Sequence, residues 1–127
     1  MKCKIASGPV IIEKNKVLLV IEGKDIIWKF PGGTVRGGES LEQACRREVK
    51  EELGIKVKLI KPIKPLIIYR QKDAVFSMTY LAKRVGKIKP GKEIKKYKWF
   101  PLNKLPKNSG ANIKPVIKEY LQHAKSK

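Results

Sequence analysis

The sequence predicts an α+β fold, a mixed β-sheet sandwich, and three observations carry that prediction. Apolar runs of strand length come first, then a helix signalled at both ends, then further strands. A second segment with helical spacing of its apolar residues closes the chain. No internal repeat, linker-like stretch or shift in composition divides the 127 residues, so residues 1–127 are expected to form a single domain.

The elements follow in order. Ile5 to Glu13 mixes β-branched and polar residues around Gly8-Pro9. It predicts a strand that is bent or lies at a sheet edge, because proline has no N–H to give a ladder. Lys14-Asn15-Lys16 predicts a turn. Val17 to Ile21 is a continuous apolar run, the pattern of a strand covered on both faces. Glu22-Gly23-Lys24-Asp25 is the next expected turn, and Ile26 to Phe30 a short strand stopped by Pro31. Four glycines then fall within the eight positions from Gly32 to Glu39. Ser40, with Gln43 three positions on, forms a capping-box pattern for a helix from Leu41 to Leu53, and Gly54 stands where the chain turns left-handed beyond it.

Val57 to Arg70 predicts strand, with Pro62 and Pro65 marking an edge, a bulge or a break. Ala74 to Val85 is a clearer strand, able to pair with its predecessor across Gln71-Lys72-Asp73. Gly86 to Gly91 is a basic loop, Ile94 to Phe100 a strand ending at Pro101, and Leu102 to Pro106 a single helical turn. Asn108-Ser109-Gly110 is a turn. Apolar residues at 113, 116, 117, 120, 121 and 124 predict a helix over Ile113 to Ala124 with one face on the core. His123, the single histidine, belongs on its surface.

Composition excludes several classes. No apolar run approaches the ~18 residues of a membrane helix, and Met1-Lys2-Cys3-Lys4 is not followed by a signal-peptide core. The expectation is a soluble cytoplasmic protein with no membrane partner. Cys3 and Cys45 form no C-x-x-C pair and are expected as small buried side chains in a reducing compartment. Thirty Lys plus Arg against eleven Asp plus Glu give a net charge of +19, a field that attracts polyanions such as nucleotides or RNA. Twenty-five of the thirty are lysines spread along the chain, which is also what a solvated basic surface looks like.

The charged run Arg46-Arg47-Glu48-Val49-Lys50-Glu51-Glu52 is not explained by solvation alone. At about 100° per residue from Leu41, the apolar residues Leu41, Ala44, Cys45, Val49 and Leu53 fill an arc from about −60° to +120°. On the same wheel Glu48, Glu51 and Glu52 fall between about −80° and +20°, overlapping the inward face. Carboxylates half-buried there are costly unless a positive charge meets them. Arg47 can pair with Glu51 four positions on, which leaves two carboxylates unmatched. A hard divalent cation would supply the balance, and the glycine loop would offer backbone groups to a phosphate.

Gly33, Glu39, Arg47, Glu48, Val49, Glu51, Glu52, Gly54 and Ile55 match every specified position of G-x5-E-x7-R-E-U-x-E-E-x-G-U, where U is aliphatic. The stretch therefore resembles the Nudix box, which covers 23 of the 127 residues. Trp28-Lys29-Phe30-Pro31-Gly32 before it and Trp99-Phe100-Pro101-Leu102 late in the chain are also similar to that family.

The resemblance implies a mixed sheet between helices in an α/β/α sandwich, with the box as loop–helix–loop. It implies hydrolysis of a nucleoside diphosphate derivative with Mg2+ or Mn2+, by water attack at phosphorus. Glu48, Glu51 and Glu52 are then the expected metal-binding carboxylates, the Gly32 carbonyl a further ligand and Glu39 an outer contributor. Arg47 is the expected orienting residue. The general base is either Glu48, with Glu51 beside it, or an acid outside the box, for which Glu93 is best placed. Where many relatives carry an acid close to the late tryptophan, this chain has Lys96 and Lys98.

No marker selects ADP-ribose or diadenosine polyphosphates; Tyr69 comes nearest. Trp28, Phe76, Tyr80 and Trp99 are each expected in the core before any base-stacking role, and Arg36, Arg70 and Arg84 are candidates for phosphate. A MutT-like nucleotide pyrophosphohydrolase is the leading expectation. An RNA 5′-end pyrophosphohydrolase comes second, and a silent nucleotide-binding domain third, against which the complete carboxylate set argues. The sequence leaves monomer and homodimer open.

Overall fold

The computed structural model of the protein describes residues 2–125. Its elements are β1 (Lys2–Glu13), β2 (Lys16–Glu22), β3 (Gly33–Thr34), helix α1 (Leu41–Leu53), β4 (Lys56–Pro62), β5 (Leu66–Tyr69), β6 (Asp73–Val85), β7 (Ile94–Pro101) and helix α2 (Ile113–Lys125). The sheet runs β4-β6-β1-β2-β7, with β3 pairing onto β1 and β5 onto β6. β1 and β6 are parallel from Lys2 against Asp73 to Ile11 against Ala82, and the other strand pairings are antiparallel. This is the expected mixed sheet in an α+β fold.

Both faces of the sheet are covered, and β2 shows how. Leu18 and Val20 point to one side with Ile11, Ala82, Ile94 and the α1 residues Val49 and Leu53. Val17 and Leu19 point to the other with Val10, Phe30 and the α2 residues Ile113, Val116 and Ile117. The continuous apolar run of β2 thus feeds two cores, one beneath each helix. No helix among the described residues is long and apolar enough to cross a membrane.

Several local expectations are corrected. β1 is not an edge strand: Gly8 and Pro9 sit in its middle, opposite Thr79 and Tyr80 of β6. The Ile5 carbonyl accepts from the Val35 N–H on the side away from β6. By strand alternation Pro9 also turns its nitrogen that way, between Ser7, paired with β3, and Ile12, paired with β2. The missing N–H falls where no ladder bond is made.

Ile26 to Phe30 does not form a strand either. β1 and β2 pair only at Ile12–Val17 and Glu13–Lys16, and then diverge. The chain from Trp28 to Thr34 fills the gap, bonding first to β2 through Lys29 and Val20 and then to β1 through Gly33 and Thr34. A segment that changes partners within six residues cannot run as one strand.

Val57 to Arg70 breaks into β4 and β5 around Ile63 to Pro65, as its prolines allow. The expected helical turn after Pro101 reduces to one hydrogen-bonded turn, Lys104 N–H to the Pro101 carbonyl at 3.0 Å. Cys45 is buried, and burial first of all pushes its thiol up to about 12, but Cys3 is exposed near the start of β1.

Candidate active site

Helix α1 is positioned by its caps. Ser40 Oγ accepts from the Gln43 N–H at 3.0 Å while Gln43 Oε1 accepts from the Ser40 N–H at 2.8 Å, and Gly54 ends the helix at φ 66°. With Ala44, Cys45, Val49 and Leu53 on the sheet, the glutamates grade inward as the wheel requires. Glu51 keeps 50 % of its side chain exposed, Glu48 16 %, and Glu52 as a residue only 7 %.

Arg47 organises the outer part. Its Nε donates to Glu39 Oε2 at 2.6 Å and its Nη2 to Glu39 Oε1 at 2.8 Å, while Nη1 donates to Glu48 Oε1 at 2.8 Å. Nη2 also reaches the Thr34 carbonyl at 3.1 Å, and Nη1 reaches Glu51 more loosely at 3.4 Å. Only a planar guanidinium fork can hold this set at once. These hydrogen bonds, Glu39's first, push Arg47 above its ordinary range.

The Arg47 hydrogen bonds, followed by the Arg36 N–H at 2.9 Å, hold the Glu39 carboxyl down at about 2. An unfolded glutamate titrates near ~4.3. The clasp therefore stabilises the fold fully above that value and loses its contribution as pH falls through the folded one. Thermal melts of metal-free protein should fall with pH below about 4, and Glu39→Gln should make that limb shallower. A limb unchanged by the substitution would show that the clasp contributes nothing.

Glycines let the loop close on the helix. A Cβ on Gly33 would lie 2.7 Å from the Glu48 carboxyl carbon. Gly32, at φ 136°, brings its N–H to Glu52 Oε1 at 2.9 Å, and a Cβ there would meet the Ser7 carbonyl oxygen at 2.5 Å. From the far side the chain after Gly86 is tied to the helix end. Lys89 N–H donates to the Leu53 carbonyl at 2.7 Å and Gly91 N–H to that of Glu52 at 2.8 Å. Lys92 and Glu93 thereby line, with Glu48, Glu51 and Glu52, a cleft of about 240 Å³.

Sequence reasoning missed Glu22, taken above as a turn residue. Lys29 Nζ donates to its Oε2 at 2.9 Å, while its Oε1 is buried with no hydrogen-bond donor among the described residues. It faces Glu52, and burial followed by the Glu22 contact pushes the Glu52 carboxyl well above the usual range. Burial alone would push Glu22 up too, but its contacts with Glu52 and Lys29, with the Lys29 charge, outweigh it and leave Glu22 lowered. The signal in the sequence was thin: an acid directly after an apolar run that is covered on both faces.

Among the described residues no three carboxylates already converge on one point. The donors are all oxygens, however, and the buried Glu22–Glu52 pair has only Lys29 to balance it, so the chemistry fits a hard divalent cation. Beside these groups lies a larger cleft of about 490 Å³, which shares Gly32 and Gly33 as its wall. Ser7, Ser77, Thr79 and Asn112 line it, and the Thr79 hydroxyl is buried without a hydrogen-bond partner among the described residues. Asn112 Nδ2 donates to Ser77 Oγ at 3.3 Å.

The other candidates lie mostly apart from both clefts. Arg84 is forked onto Glu13 at 2.9 Å and sits over Trp99, and Arg70, at the larger cleft's rim, is forked onto Asp73. Arg36 approaches Glu51 at 3.9 Å. Trp28 packs edge-on against Phe100 at 4.8 Å, Tyr80 is buried, and Tyr69 is exposed at the end of β5. His123 is exposed beside Glu119 at 3.5 Å.

Comparison with known proteins places the chain in a family. The NUDIX domain family model matches residues 4–120. An ADP-ribose pyrophosphatase of Methanocaldococcus jannaschii is 36% identical over 123 residues, covering 88% of this chain and 70% of that protein. An RNA pyrophosphohydrolase of a Wolbachia species is 38% identical over 77 residues, 60% of this chain, and the match spans only 43% of that relative's length. The crystal structure of a MutT NUDIX hydrolase from Burkholderia pseudomallei shares the fold at a TM-score of 0.86 and 22% identity, over 94% of this chain and 98% of that one. By the extent of the family match and this kinship, the chain belongs to the NUDIX domain family and is a Nudix hydrolase.

Proposed function

We propose that the protein is a Mg2+- or Mn2+-dependent pyrophosphohydrolase of small nucleoside diphosphate derivatives, nucleoside triphosphates or dinucleotides. The observation that carries this reading is the shared wall: Gly32 and Gly33 separate the carboxylate cluster from a cleft of about 490 Å³, a size that takes one nucleoside. A diphosphate crossing that wall would present its bridging bond to the carboxylates while its nucleoside stays in the cleft.

Glu48, Glu51, Glu52 and the Gly32 carbonyl would hold the cation, with Glu39 acting from outside by fixing Arg47. When bound, the cation neutralises the diphosphate and lowers the pKa of an attacking water. Arg47 keeps Glu48 aimed, and Glu48 takes the proton from that water. Glu93 is the alternative base, brought to the same cleft by the tie at Gly91. Ser77 and Asn112, which line the larger cleft, offer the nucleoside hydrogen bonds.

A second reading has its own observation. Lys87, Lys89, Lys92, Lys95, Lys96 and Lys98 crowd the segment that runs from the helix tie into β7, and Lys92 lines the carboxylate cleft. Such a run would favour a longer polyanion, an RNA 5′ end. A panel of nucleoside triphosphates, ADP-ribose, dinucleotides and 5′-triphosphate RNA, assayed with MgCl2 and with EDTA, tests both. Cation-dependent release of pyrophosphate or nucleoside monophosphate from a small substrate supports the first. Salt-sensitive preference for RNA would replace it with the second, and no turnover of any member would sink both.

A further inference from the structure

We propose that Glu22, outside the box, is a positioning residue for the divalent-cation site: it faces Glu52 from the end of β2 and, against Lys29, sets how tightly the cation is held. This rests on the cation reading above and goes beyond it, because nothing in the box pattern reaches Glu22.

Two carboxyl groups, the half-buried Glu22 and the buried Glu52, face each other between β2, the glycine loop and α1. Their hydrogen-bond donors are Lys29 Nζ on Glu22 Oε2 and the Gly32 N–H on Glu52 Oε1, both at 2.9 Å. Glu22 Oε1 is buried with no hydrogen-bond donor among the described residues. A buried anion left short of partners is costly, and a cation arriving at Glu52 removes that cost.

The backbone holds the place shut. Gly23 N–H donates to the Glu93 carbonyl at 2.8 Å, and Lys29 is ladder-bonded to Val20 through both its N–H at 2.9 Å and its carbonyl at 2.8 Å. The end of β2 that carries Glu22 is thus fixed beside α1, Lys29 holds its carboxylate there, and its negative charge adds to the attraction the cation feels. Lys29, fixed on the same carboxylate, opposes it. The two residues of one ion pair thus act on cation affinity with opposite signs.

That opposition separates the proposal from a merely structural ion pair. Cation affinity is measured by calorimetric titration of MgCl2, or of MnCl2 followed by the paramagnetic resonance of free Mn2+, with no substrate present. Glu22→Gln is expected to weaken binding by roughly 10- to 100-fold, the usual effect of losing a group that supports a metal ligand. Lys29→Met is expected to tighten it. The rise in melting temperature on adding MgCl2 to EDTA-treated protein should shrink in Glu22→Gln and grow in Lys29→Met.

If both variants lose stability equally in EDTA and in MgCl2 while binding the cation as the parent does, the pair is a strut and the proposal is overturned. It is also overturned if both weaken binding alike, since that is distortion and not charge. A parent protein that binds no divalent cation would overturn this inference together with the reading it rests on. A parent that binds, with Glu22→Gln unchanged, would overturn this inference alone.

Discussion

Glu48→Gln is expected to lower kcat by about 10²- to 10⁴-fold at saturating MgCl2, with KM for the nucleotide little changed. The substitution keeps the shape of a side chain that has almost no room to move. Arg47 Nη1 holds Oε1 at 2.8 Å, and the carboxyl lies so close to Gly33 that a Cβ there would stand 2.7 Å away. Glutamine fits the same space but cannot take a proton from water; it is also a weaker cation ligand, a loss that saturating MgCl2 offsets, so what remains falls on the chemical step. Steady-state kinetics on the best substrate of the panel decides it. Near-normal turnover would remove Glu48 as base and move the role to Glu93, whose own glutamine variant should otherwise leave kcat close to the parent's.

The largest stability effect is expected outside the box, at Gly8→Ala. A Cβ at Gly8 would sit 2.0 Å from the Pro31 carbonyl oxygen and 3.1 Å from the Gly32 Cα. Both neighbours are backbone, and β1 is held by β6 along its length, so neither side can step back. Overpacking of this kind costs roughly 3 kcal/mol or more, which for a chain of this size is a fall of roughly 10 °C in melting temperature. Gly37→Ala is the contrast, since nothing lies within 4 Å of a Cβ there. Equal melting temperatures for the two variants would refute the close approach at Gly8. The Gly8 variant should also lose cation affinity, because the atoms it displaces include the Gly32 backbone that anchors Glu52.

The helix at the centre of the site was legible because its signals are local. Ser40, Gln43 and Gly54 cap it as read, and the wheel that turned the glutamates inward matches their graded exposure. The Arg47 fork was half legible. Pairing four positions along the helix suggested Glu51, which the structure holds at 3.4 Å, whereas the tight bonds go to Glu48 and to Glu39 eight positions back, across the loop. Glu22 and Gly8 were misread for a common reason. Each was assigned from its immediate neighbours, Glu22 as a turn acid and Gly8 as part of a strand bent or at a sheet edge. Each is in fact governed by the segment from Trp28 to Thr34, which enters between β1 and β2 only after those strands diverge. No periodicity in a single strand reports what is inserted beside it.

The parallel contact between β1 and β6 also bears on the order in which the protein can assemble. Its partners stand 71 residues apart in sequence at every rung, as Lys2 against Asp73 and Ile11 against Ala82. The hairpin of β1 and β2 and the capped helix α1 can form from nearby residues, but the middle of the sheet must wait for β6. Closing so long a loop before any rung rewards it makes this the slow event in folding. During synthesis, the first strand, its hairpin partner β2 and the glutamate helix are therefore all made before the strand that joins them into one sheet. Substitutions in the β1–β2 turn at Lys14-Asn15, whose contacts form before that slow event, should slow refolding, as should those in β6 at rungs opposite β1, such as at Ala82.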